Sequence, residues 1–172
     1  KPIRPYFENQ FLPILYSDLW GDYWGYFSFT SRSLDVGRNQ MAIGNYLGRV
    51  NTVSLFPTLL LFIGLKNSSK SFKNKLKTSF DLINIYVVFS TAVCFFGYMW
   101  FQISFPVGNG ATNKATYILQ IFHLLGLSAI IYLEKLKEKN SKIYRLIVVA
   151  LLVVFVHNFS AMLSHFPIIN FI

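Results

Sequence analysis

From residue 47 onwards, long apolar runs alternate with short polar links, and the lengths of the runs decide what kind of protein this is. A helix needs about 20 mainly apolar residues to cross the hydrocarbon of a bilayer. Four stretches reach or approach that length: 47–65, 82–105, 115–133 and 146–164. The pattern predicts an all-α fold, a polytopic transmembrane helix bundle of about four spans over 47–172, preceded by an extracytoplasmic, aromatic-rich segment over 1–46. The first span is the least regular. Arg49 and Asn51 lie near its start and Pro57 interrupts it. Proline has no N–H to give, so a neighbouring helix or polar group must satisfy the carbonyl it frees.

Composition agrees: 53% of the residues are hydrophobic and 18% aromatic against 13% charged, too apolar for an ordinary soluble domain. The net charge is +9, but it sits in clusters between apolar runs rather than along a wetted stripe, so a nucleic-acid partner is not expected. Its use is topological. Lys66, Lys70, Lys73, Lys75 and Lys77 separate the first two spans, and Lys135, Lys137, Lys139, Lys142 and Arg145 the last two. Both loops are expected in the cytoplasm, where Lys and Arg near span ends are retained. They read as solvated loops with some attraction to anionic membrane lipid. The link 106–114, the segment 1–46 and the C-terminus then fall outside, in a multi-pass protein of the cell membrane. The lone cysteine, Cys94, permits no disulfide, paired zinc motif or redox pair within the chain. Lys1 opens the sequence with no basic-then-apolar signal core behind it, so a preceding portion is expected and the chain reads as the C-terminal part of something larger.

The segment 1–46 differs in kind. It holds Pro2, Pro5 and Pro13 and then the run Tyr16-Ser17-Asp18-Leu19-Trp20-Gly21-Asp22-Tyr23-Trp24-Gly25-Tyr26-Phe27. Tryptophan and tyrosine favour the headgroup zone, because an apolar ring there carries a polar group in need of a partner. Trp20 and Trp24 are therefore placed along the outer surface, with 39–48 as an interfacial helix leading into the first span. Asp18 and Asp22 are four apart and would share one side of a helix. Gly21 and Gly25 fit a turn-rich loop as well. Asp22 stands either as a general base or acceptor-binding carboxylate, or as a turn or cap residue. Asp81 reads as a cap at the cytoplasmic end of the second span.

Polar side chains inside a membrane are costly and tend to face the bundle interior or a site. Asn84, Thr91, Tyr98 and Gln102 share one face of the second span, which is expected to be buried. Thr116, Gln120 and His123 form one stripe of the third span, while Lys114, Tyr117 and Ser128 line another side. His157, Ser160, Ser164 and His165 form a broad face of the fourth. For His123 an interhelical hydrogen bond is the expectation. No metal site is expected: His157 and His165 have no carboxylate close in sequence. Lys114, Tyr117, Gln102 and His165, with Arg49, gather towards the outer end. Lys114 and Arg49 there either hold a lipid phosphate through charge-assisted hydrogen bonds or snorkel to headgroups.

Three stretches together resemble the C-terminal part of membrane glycosyltransferases of the type C superfamily, which includes the dolichyl-phosphate-mannose protein mannosyltransferases and the aminoarabinose transferases. They are the aromatic run from Tyr16 to Phe27, then Asn45-Tyr46-Leu47-Gly48-Arg49-Val50-Asn51 leading into Leu55-Phe56-Pro57, and Lys114-Ala115-Thr116-Tyr117-Ile118-Leu119. The resemblance implies transfer of a sugar from a polyprenyl-phosphate carrier to a protein, lipid or glycan acceptor outside the cytoplasm. It implies lipid-phosphate binding by Lys114, then Arg49, with Tyr117 as a hydrogen-bonding neighbour. Asp22, Trp20, Trp24, Gln102 and His165 would line the acceptor side or cavity. No stretch corresponds to the family's catalytic aspartate in an early outer loop, so no catalytic residue is assigned to this chain. No cofactor is implied, and no Gly-rich loop signals a nucleotide site. The competing expectation is a non-catalytic membrane subunit or small transporter, which accounts for the spans and loop charges equally well.

Overall fold

A computed structural model describes residues 11–21, 38–74, 78–105 and 115–163. Among them the regular elements are all helical: α1 (Phe11–Trp20), α2 (Arg38–Val53), α3 (Leu55–Ser69), α4 (Ser79–Ser104), α5 (Leu119–Lys139) and α6 (Ser141–Leu163). Short 3-10 turns occupy Lys70–Asn74 and Ala115–Ile118. Four stretches are long and apolar enough to cross a membrane, Tyr46–Phe72, Ser79–Ser104, Leu119–Lys139 and Ser141–Ala161. The protein is all-α and integral to a membrane.

Helix ends follow local chemistry rather than hydropathy. The third span continues to Lys139, beyond the apolar run ending near 133, because Glu, Lys and Leu are strong helix formers and lysines suit a helix C-terminus. Its start lies at Leu119, with 115–118 wound as a 3-10 turn. A single residue, Asn140, joins α5 to α6. Its N–H donates to the Leu136 carbonyl at 2.7 Å, closing α5, and its side-chain Oδ1 accepts from the Ile143 N–H at 3.1 Å, capping α6. At the start of α4 the cap is Thr78 rather than Asp81. The Asp81 N–H donates to Thr78 Oγ1 at 3.2 Å, while the Thr78 hydroxyl donates to the Asp81 carboxylate at 2.9 Å. Asp81 thus completes the cap three residues in.

Pro57 divides the first span into two helices. The break falls at Ser54, whose N–H still bonds to the Val50 carbonyl at 2.9 Å. Pro57 then occupies the first turn of α3, where a missing N–H is tolerated.

The chain divides into two compact units. In the unit comprising Leu55–Phe101 and Ile118–Leu152, α3 packs directly on α5. A Cβ built at Gly64 would stand 2.5 Å from the Ala129 nitrogen and 2.6 Å from the Ser128 carbonyl carbon. Only a residue without a side chain admits this approach. Leu60, Gly64 and Ser68 on α3, and Ser128 and Ala129 on α5, are all buried. Small residues that let backbones meet are the usual way membrane helices associate, since lipid tails remove the hydrophobic drive.

The buried face expected on the second span is present in this unit: Asn84, Thr91 and Tyr98 are buried on α4. Asn84 Nδ2 donates to the Phe80 carbonyl at 3.0 Å and Thr91 Oγ1 to the Val87 carbonyl at 2.7 Å. Each of these two donors is thereby satisfied one turn back on its own helix, while Asn84 Oδ1 is buried without a hydrogen-bond partner. The third span departs from expectation. Gln120 and His123 are exposed, and His123 Nδ1 bonds to the Leu119 carbonyl at 2.8 Å. Its bond is within the helix, not between helices, because the residues that α5 turns towards α3 are the small pair Ser128–Ala129.

Candidate functional site

The unit comprising Lys1–Ser54, Gln102–Tyr117 and Val153–Ile172 contains the residues that the sequence nominates. Its apolar core is Leu47, Val50 and Ala161, with Trp20 and Tyr46 packed against it. Trp20 is therefore the last residue of a helix seated on α2. A turn-rich loop does not form over 11–20. Gly21 ends α1, its N–H donating to the Ser17 carbonyl at 3.0 Å. A Cβ there would meet Leu47 and Val50 at 3.0 Å each, so the glycine that stops α1 also lets α2 approach.

Around this core the structure assembles a polar junction that sequence reasoning missed. Tyr16 Oη donates to the Asn51 carbonyl at 2.7 Å, and Asn51 Nδ2 donates to Ser17 Oγ at 3.0 Å. Ser17 and Asp18 are 0% and 1% exposed, so α1 directs a hydroxyl and a carboxylate inward where burial would be expensive without compensation. On the other side Asn158 Nδ2 donates to Ser54 Oγ at 2.8 Å, and Asn158 Oδ1 faces His157 Nδ1 at 2.8 Å. These two bonds agree on one amide orientation, with the proton of the imidazole on Nδ1. Tyr46 Oη donates to the His157 carbonyl at 2.6 Å, and the two rings lie 5.8 Å apart. The junction thus ties α1, α2 and the last turns of α6 together where the first span breaks, through four hydrogen bonds from Tyr16, Asn51, Asn158 and Tyr46, while the His157–Asn158 bond within α6 orients the amide.

Arg49 lies on the opposite side of α2. Leu47 and Val50 are buried, whereas Gly48, Arg49 and Thr52 are exposed, and nothing stands within 4 Å of a Cβ built at Gly48. The guanidinium is thus displayed on an open face at the start of the first crossing. Tyr117, 49% exposed, occupies the 3-10 turn that opens the third crossing. Gln102 is partly buried in the last turn of α4. Lys114, Asp22, Trp24 and His165 lie outside the described residues.

On α6 the expected face is replaced in part. His157 is half-buried and Ser160 exposed, and the residues turned inward are Asn158 and Ala161; Ser164 lies outside the described residues. Asn158 escaped notice because the residues three and four positions from it, Val154, Phe155, Ala161 and Met162, are all apolar, so no polar stripe marks its face. Its partner, Ser54, is 104 residues away. Asp18 had a signal that could have been read: it precedes Gly21 in a run of Leu12, Leu15 and Leu19, which fits a short buried helix. Among the described residues no group of three His, Cys, Asp or Glu could hold a metal ion. The chemistry on offer is one buried acid, several hydroxyls and amides, an imidazole, and a separate exposed cation.

Neither known protein families, nor curated proteins, nor solved structures give a match to this chain.

Proposed function

We propose that the chain is the C-terminal membrane portion of a glycosyltransferase that moves a sugar from a polyprenyl-phosphate carrier to an acceptor outside the cytoplasm. The observation that carries this reading is the exposed Arg49 at the start of the span Tyr46–Phe72, together with the exposed Tyr117 just before the span Leu119–Lys139. Successive crossings alternate in direction, so these two run the same way, and a cation and a phenol open both at the same leaflet. Each span carries its lysines at its other end, Lys66 in one and Lys135, Lys137 and Lys139 in the other. This supports an outer location for Arg49 and Tyr117, with the N-terminal segment and the C-terminus on that side of a cell membrane.

In this reading a carboxylate outside the chain takes the proton of the acceptor hydroxyl. The acceptor oxygen bonds to the anomeric carbon as that carbon's bond to the carrier phosphate breaks. Arg49 and Lys114 meet the charge that develops on the departing phosphate, and Tyr117 donates a hydrogen bond to it. Trp20, Asp22, Trp24, Gln102 and His165 belong to the acceptor side. The polar junction of Tyr16, Ser17, Asn51, Ser54 and Asn158 fixes α2 beneath Arg49.

The test uses the complete membrane protein with a polyprenyl-phosphate sugar as donor. Arg49→Ala and Lys114→Ala are expected to lower donor turnover by about 10²-fold each, the scale of losing one donor to developing charge, while yield and helicity stay unchanged. Wild-type turnover in both variants would remove the phosphate site. The alternative, a non-catalytic membrane subunit or small transporter, draws on α6, of which little is buried. It predicts no turnover of any such donor by the wild type.

A further inference from the structure

The unit comprising Leu55–Phe101 and Ile118–Leu152 carries Lys66 and Lys70 together with Lys135, Lys137, Lys139, Lys142 and Arg145, which lie 65 or more positions further along the sequence. The Lys135 ammonium stands 4.7 Å from the centroid of the Phe80 ring, which brings the end of α5 to the first turn of α4. α3 packs on α5 through Gly64 against Ser128 and Ala129, and Lys66 and Lys70 follow that crossing. Asn140 alone separates α5 from α6, and Lys137 lies 6.0 Å from the Tyr144 ring, so the start of α6 joins them. The end of α5 thus meets the starts of α4 and α6.

Lys66 and Lys70 from the α3 side are exposed, as are Lys135, Lys137 and Lys139 from α5 and Lys142 and Arg145 from α6. The exposed acids of α5, Glu134 and Glu138, are too few to neutralise them, and Asp81 is buried in the cap of α4. We infer that this end of the unit is a binding site for the phosphodiester headgroups of anionic phospholipids.

Height selects lipid over other polyanions. Phe62, one turn before Lys66, is 59% exposed, and Leu146, beside Arg145, is 72% exposed. Residues so placed belong in hydrocarbon, so the cations that follow within a turn or two stand at the level of the phosphates. Phe72 and Phe80, 53% and 42% exposed, supply apolar surface for the glycerol and upper acyl chain. The Phe80 ring also orients the Lys135 ammonium through a cation–π contact. Several cations from different helices can hydrogen-bond one phosphodiester, whereas the zwitterionic headgroup of phosphatidylcholine brings its own cation and gains less.

The test incorporates the protein in nanodiscs of phosphatidylcholine with about one third phosphatidylglycerol and measures the lipid retained after detergent extraction. Phosphatidylglycerol is expected to be enriched over its share of the disc. Each of Lys66→Gln, Lys137→Gln and Lys139→Gln should lower the ratio of retained phosphatidylglycerol to phosphatidylcholine by up to about fivefold, and the matching Arg variants should keep it. Raising the salt to about 1 M should erase it, since exposed charges are screened there. If a Gln variant fails to fold, the salt dependence and the phosphatidylcholine comparison on the wild type still decide. Equal retention of the two lipids would overturn the site. So would displacement of phosphatidylglycerol by inorganic phosphate or by an oligonucleotide at lower concentration, which would assign the cations to a soluble anion.

Discussion

Replacing Gly64 by alanine adds one methyl group at the point where α3 and α5 are closest, and the cost can be worked from the geometry. The new Cβ would lie 2.5 Å from the Ala129 nitrogen and 2.6 Å from both the Ala129 Cα and the Ser128 carbonyl carbon. Non-bonded heavy atoms prefer about 3.5 Å or more, so the helices must part by about 1 Å. All three obstacles are backbone atoms, and no rotamer change can relieve them. A gap of that size forfeits a quarter to a half of the dispersion energy of every pair it opens, along a ridge that includes Leu60 and Ser68. Overpacking of this kind costs about 1–3 kcal/mol. The assay is reversible unfolding in mixed micelles, with Gly126→Ala on α5 as the reference. Nothing lies within 4 Å of a Cβ at Gly126, so alanine there is expected to be neutral or to stabilise by up to about 1 kcal/mol through helix propensity. Equal stability of the two variants would refute the close crossing as an energetic feature.

Two further perturbations report on separate links. Asn158→Ala and Ser54→Ala, taken singly and together, are expected to couple by about 0.6 kcal/mol, the scale of an interhelical hydrogen bond in a membrane. Additive losses in the double-mutant cycle would show that the 2.8 Å bond contributes nothing. Thr78→Ala removes the cap of α4 and should lower stability by about 1 kcal/mol, with faster amide exchange confined to the first turn of that helix. Uniform exchange along α4 would argue against the cap.

The sequence alone determined the number of crossings, since the length of an apolar run must match the thickness of hydrocarbon whatever the packing. It also determined the buried face of α4, because Asn84, Thr91 and Tyr98 fall at helical spacing and cannot all turn to lipid. That Pro57 interrupts the first span was equally readable, proline having no N–H to continue the ladder, although the break itself falls at Ser54. Tertiary structure decided which polar residues meet. Ser54 with Asn158, and Tyr16 and Ser17 with Asn51, are pairs of partners far apart in the chain, and a single sequence carries no record of such distances. It also decided that Gln120 and His123 face outward while Ser128 and Ala129 meet Gly64. Periodicity says which residues share a face but not which face finds a neighbour, and in lipid that choice falls to close backbone packing rather than to polarity.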